Sequence, residues 1–260
     1  MSDAPLSDSE LDEVLGEHDE IDVELRFPNE VRARILILTT VLRRLALENA
    51  DVEDSDDFSA EAFDQREWLR ELGLASELSV REAALLESPL GTIGPEAIIE
   101  ASWQGEALMA LAWAISAVEM PPLDTVSDPR QVIDFVPRPW DGTQEWLADP
   151  TIVSEAEAAR EREIAEIWHW RMTTEVLRRA GSAAASRDYE EAIRDVATEA
   201  LRAGLLPSLR QGDFPVRGRA IEDLSANDLD ELVSVTGQRL LALNWLCGFG
   251  ASWDDVPLDV

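Results

Sequence analysis

The chain has 260 residues, enough to bury a sizeable core, and its 54 acidic against 22 basic residues give a formal net charge of -32. No lysine occurs, so every permanent cation is an arginine. That balance offers no basic stripe to neutralise nucleic-acid phosphates and disfavours anionic membrane surfaces, while a single cysteine, Cys247, excludes an internal disulfide and any multi-cysteine metal site.

Residues 1–24 are read as an acidic arm, with Asp12, Glu13, Asp19 and Glu20 among its carboxylates and no basic or apolar leader pattern. The expected compartment is the cytoplasm, and the acidity fits a proteome-wide adaptation to salt, because a hydrated carboxylate surface stays soluble there. From Asn29 to Asn49, Val31, Ile35, Leu38, Leu42 and Leu45 fall on one helical face, Ile37 and Val41 add a second, and Arg44 with Glu48 forms an i, i+4 pair on the outer side. After the acidic connection Ala50–Asp57, Ser59 is expected to cap a helix running to Leu72 with Gly73 as its stop. Ser79-Val80-Arg81-Glu82 is a capping box that opens a short helix.

The stretch Pro95–Val118 is the most apolar in the chain and is expected to be the buried central helix. Trp103, Glu106, Ala110, Trp113 and Ala117 share one face. A carboxylate between two tryptophans is costly unless paired, so Glu106 should meet an arginine, with Arg81, Arg171 and Arg239 as the candidates. Its other reading is a general acid or base with a raised pKa.

Pro121 to Asp141 carries Pro121, Pro122, Pro129, Pro137 and Pro139 and reads as an irregular crossover; Gln131–Phe135 within it is a short strand or one helical turn. A second capping box, Ser154 to Glu157, opens a helix to Ala180, with Ile164, Ile167, Trp168, Met172 and Val176 as its stripe and Arg171 placed to pair with Glu175. Ser186–Ala203 is a further helix. Ser225 to Asp228 caps the last one, which Gly237 is expected to break. No alternating strand pattern occurs. The expected fold is therefore all-α, with seven to nine helices in a single domain over residues 25–260, packed around the 95–118 helix and closed by a docked C-terminal tail.

The ending, with Ala242-Leu243-Asn244-Trp245-Leu246 followed by Trp253, Asp254, Val256 and Asp259, resembles the closing motif of the family called domain of unknown function 4272. Trp103, Glu106-Ala107-Leu108 and Trp113 resemble its internal motif, with Gln104 where an arginine often stands; Val216–Ser225 and Glu166–Leu177 are also similar. The resemblance extends over residues 26–260. It implies a mostly helical fold and no assigned activity.

Each candidate site has a structural counterpart reading. Asp254 and Asp255 supply two hard oxygen ligands, too few alone for a metal; equally, Trp253 docks on the core while the aspartates cap a turn or a helix N-terminus. Glu163, His169 and Arg171 form a polar cluster on one helix, yet one helical histidine and one cysteine cannot furnish a zinc site, and a satisfied interfacial His169 is the simpler outcome. The tryptophans Trp103, Trp113, Trp168, Trp170 and Trp245 line either a pocket or the core. Cys247 sits at a helix C-terminus, the wrong dipole end for a thiolate. Neither a phosphate loop nor a nucleophile elbow occurs, and no cofactor is implied.

Three functions remain. The first is a non-enzymatic interaction or scaffold module for an unknown protein partner, with Trp103, Glu106, Arg171, Asn244, Trp253, Asp254 and Asp255 as binding candidates. The second is a hydrolase-like enzyme using Glu106, Glu163, His169 and the Asp254/Asp255 pair, which requires those carboxylates to meet in one pocket. The third is an acidic nucleic-acid mimic that occupies a basic partner.

Overall fold

A computed structural model describes residues 23–48, 55–181 and 186–258. The expected arm therefore lies almost wholly outside the described residues, as do most of the 50–57 connection and Asp259 of the closing motif. The described chain is all-α. Its helices are α1 (Pro28–Glu48), α2 (Ser55–Glu71), α3 (Val80–Glu87), α4 (Pro95–Ser102), α5 (Gln104–Ala114), α6 (Arg130–Ile133), α7 (Gln144–Ala148), α8 (Glu155–Arg179), α9 (Ser186–Arg202) and α10 (Ala226–Leu246). No helix among the described residues is long and apolar enough to cross a membrane.

The capping boxes fold as their sequences dictate. At Ser79, Ser154 and Ser225 the hydroxyl accepts the N3 amide, while the Glu82, Glu157 or Asp228 carboxylate accepts the cap amide in return. Helix α2 begins at Ser55, a turn earlier than the expected Ser59 cap.

The expected central helix is two helices. At Trp103 the bonding tightens to i→i−3, Glu106 N–H donating to Trp103 O at 2.9 Å, and the apolar stretch divides into α4 and α5. Only α5 is buried all round: Ala107, Leu108, Ala110, Leu111 and Ala112 have no exposed surface, whereas Ile99 on α4 is 60% exposed. Helix α5 ends four residues before Val118, because Ser116 turns left-handed (φ 60°) and the Ala117 and Ser116 amides fold back onto Ala112 O and Trp113 O, a Schellman closure.

Burial is shared among three helices. Helix α5 packs between α1 and α10, and α10 lies along α8 on its other side. Small alanines on α5 allow both neighbours close. Around these, α1, α5 and α10 build the main core with Ile35, Leu38, Leu108, Leu111, Leu240 and Leu243. A second cluster, with Trp168, Met172, Phe214, Ile221 and Leu232, joins α8, α9, the loop after α9 and the start of α10. Helix α10 is unbroken at Gly237. A Cβ there would stand 3.1 Å from the His169 ring, so the glycine serves the α8–α10 approach rather than a helix break.

The crossover from 121 to 141 contains one helical turn, α6, and lies against α5. Its Pro129 ring sits where a Cβ on Gly105 would come within 3.2 Å, so the absent side chain makes room for it.

Candidate functional site

Buried arginines, not carboxylates, organise the polar interior. Arg239 on α10 is fully buried, and its Nε and Nη2 reach Glu106 Oε2 on α5 at 2.9 and 2.7 Å. The remaining donors bind the crossover: Nη1 to Pro121 O and Pro122 O, Nη2 to Thr125 O and Ser127 Oγ. Ser127 N–H closes the ring on Glu106 Oε1 at 2.8 Å. Burial pulls the Arg239 pKa down, and Glu106 opposes that shift. Prolines at 121 and 122 cannot donate and leave their carbonyls free of regular structure; a planar five-donor guanidinium satisfies several such acceptors at once. Arg81 instead pairs with Glu100 on the surface.

On α8 the polar cluster divides. Arg171 holds Asp213 through two bonds of 2.8 and 2.6 Å and lies 3.4 Å from Glu175. Glu175 also receives Arg178 and Arg179. Burial pushes its carboxyl pKa up, but the guanidinium groups of Arg178, Arg179 and Arg171 outweigh this and bring it down to about 2. His169 is buried, with Nδ1 3.1 Å from Thr236 Oγ1. That hydroxyl donates its own proton to Leu232 O, so His169 Nδ1–H is the donor in their contact; burial lowers the imidazole pKa. Glu163 is exposed and lines neither pocket described here.

The closing motif forms a joint. Asn244 accepts Arg162 Nε at 2.7 Å and donates to Pro257 O at 2.8 Å, tying α10 to α8 and to the tail. Trp253 packs edge-on against Trp245 at 5.6 Å, with the Arg34 guanidinium 4.1 Å above its ring. Arg34 is itself bound to Glu82 and to Glu77 O. Asp254 accepts the Val80 amide at 2.9 Å, in the first turn of α3, and Asp255 takes the Ser252 hydroxyl. Trp245, Trp253, Asp254 and Arg34 share a pocket of about 510 Å³. Burial raises the neighbouring Cys247 thiol pKa to about 11.

Of Glu106, Glu163, His169, Asp254 and Asp255, only Asp254 lines either of the two pockets of about 310 and 510 Å³. Trp103 stands half-buried at the α4–α5 junction. Among the described residues, no three His, Cys, Asp or Glu side chains stand close enough to share a metal ion.

Two features of the crossover escape sequence reasoning. Arg43, on α1, donates to Ile133 O, Val136 O and Pro137 O, fixing the second half of the crossover. Beyond that anchor, Arg138-Pro139-Trp140-Asp141 is a type II turn: Asp141 N–H donates to Arg138 O at 3.0 Å, and Trp140 has φ 69°. Trp140 is half exposed, at a position that ordinarily takes glycine. Pro139 at the preceding position was the available signal for this turn.

No curated protein and no solved structure is significantly similar to the chain. A family model does match, over residues 12–190, well over half of the chain and ending within α9, so that the closing motif lies beyond the match. Its description is Domain of unknown function (DUF4272), and the chain belongs to that family.

Proposed function

We propose that the protein is a non-catalytic protein-interaction module and that the crossover turn carries its anchor. The supporting observation is Trp140. A bulky residue at φ 69° is a backbone outlier that costs on the order of 1–2 kcal/mol, and glycine would relieve it. The fold buries about half of the side chain, and the other half faces solvent. Strain combined with exposure points to use outside the chain, and tryptophan is enriched among residues that dominate interface energies. Phe135, 45% exposed in the same crossover, adds apolar surface. The turn is held rigidly from behind by Arg43, so little ordering entropy remains to be lost on docking.

The test is Trp140→Gly. The melting temperature of this variant should stay within a few degrees of the wild type, because relief of the strain offsets the loss of the buried half of the ring. Quantitative capture of the stoichiometric partner from host lysate should fall at least about tenfold, the loss of one anchor residue. Capture undiminished in a variant of equal or greater stability rejects the proposal.

A further inference from the structure

A second pocket, of about 310 Å³, opens between α8, α10, the start of the crossover and the loop after α9. Ile164, Trp168, Leu205, Pro207, Pro215 and Leu243 give it apolar walls. Its charged groups are Glu161, Asp124 and Arg239. Arg239 is spent on Glu106 and the crossover carbonyls, and so offers no free charge to an anion. Asp124 accepts the Arg217 amide at 2.7 Å and the Thr125 hydroxyl at 3.2 Å.

Glu161 differs from the buried carboxylates. Glu82, Glu106 and Glu175 each hold an arginine. Glu161 is partly buried, yet its carboxylate makes no hydrogen bond and no ion pair. Its sequence neighbour Arg160 turns away to donate to Gly204 O. Burial pushes the Glu161 pKa up, with Arg160 countering only in part. Its carboxylate oxygens are open to the pocket and uncommitted to any protein donor, so they are free to accept from a ligand.

We propose that this pocket binds an organic cation, an ammonium or guanidinium group on an apolar stem, with Glu161 as its counter-ion. The chemistry selects this class. Two carboxylates and no uncommitted donor repel anions. A hard divalent metal wants six or more oxygen ligands, and the walls here are hydrocarbon. The volume suits a group the size of a single side chain or a small amine. Asp124 adds a second negative charge at the pocket, and Trp168 supplies an aromatic wall for the stem. The cation could come from a free alkylamine or from a basic side chain of a peptide, and the two sources are separable.

The experiment is calorimetric titration of the full chain, at low ionic strength, with n-pentylammonium, with neutral 1-pentanol and with an end-blocked Gly-Lys-Gly peptide. Saturable binding of the ammonium or the peptide, and not of the alcohol, is expected. Glu161→Gln should weaken it at least about tenfold, the loss of one charge-assisted hydrogen bond, without lowering the melting temperature. Glu163→Gln removes the same charge from an exposed site on the same helix and should leave the affinity unchanged, which separates a site from general attraction to an acidic surface. Binding of the peptide but not the free amine would assign the cation to a macromolecule, and the reverse to a small molecule. Equal affinity in the wild type and Glu161→Gln, equal loss in Glu163→Gln, or no saturation by about 10 mM of either cation, weaker than any typical specific site, would overturn the proposal.

Discussion

Glu175 shows what the arginines do for this fold at the scale of one residue. Its carboxylate has no exposed surface, and three guanidinium groups, those of Arg171, Arg178 and Arg179, converge on it. Arg179 also reaches Ile221 O and Leu224 O, so the cluster ties the end of α8 to the segment that leads into α10. The folded pKa lies near 2, below the unfolded reference of 4.5. A depressed carboxyl pKa contributes stability that is complete above the unfolded value and is lost as pH falls through the folded one. Urea unfolding should therefore show a loss on the order of 3 kcal/mol between about pH 5 and pH 2 that is absent from Glu175→Gln; parallel profiles for the two proteins would show that the cluster is not coupled to folding. Residues such as Glu175 and Arg171 are legible from sequence because they stand four apart on one helix. Glu106 required an arginine for the same physical reason, yet the choice of Arg239 over Arg81 or Arg171 is a contact across 133 positions, which no local spacing encodes. Glu161 was missed for the opposite reason: its significance is the lack of a partner, and only the assembled pocket shows that.

At the scale of elements, helices that carry their own end signals were readable, and segments shaped by distant contacts were not. Three capping boxes fold as written because each closes within four residues. The division of the apolar stretch at Trp103 and the continuity of α10 through Gly237 depend on packing, in the second case on the His169 ring. The tail is intermediate. Its large aromatic implied docking, and its aspartates implied a cap, but the helix being capped, α3, lies 174 residues earlier. Helix α3 has only eight residues and borrows an acceptor for Val80 N–H from Asp254. Trp253→Ala should cost about 2–3 kcal/mol, less than a fully buried tryptophan because the ring is only partly buried. Asp254→Asn should cost about 0.5–1 kcal/mol, the usual worth of a charged acceptor at a helix N-terminus. Urea midpoints measure both, and amide exchange at Val80 should accelerate in each variant. An unchanged midpoint in Trp253→Ala would mean that the tail rests on the fold without supporting it.

For the whole molecule the governing quantity is charge. Among the described residues, several arginines are turned inward, on Glu82, Glu106 and Glu175 and on the carbonyls of the crossover, which leaves surface carboxylates without a matching number of surface cations. A net charge of -32 repels itself in the compact state, and the unfolded chain relieves that repulsion by expanding. Lowering the ionic strength from about 1 M to about 0.01 M lengthens the Debye screening distance from about 3 to about 30 Å, comparable with the width of the fold. The buried pairs are shielded by protein and should respond little, so surface repulsion sets the salt dependence. The melting temperature should accordingly climb steeply as sodium chloride rises from about 0.01 to about 0.3 M, then flatten once the screening distance falls below the spacing of surface carboxylates. Sucrose at matched osmolality strengthens burial by exclusion without screening, and should raise the melting temperature far less over the same interval. Equal effects of salt and sucrose would show that the acidic coat carries no electrostatic penalty; a flat salt profile would show that the repulsion is already relieved by the arrangement of the surface charges themselves.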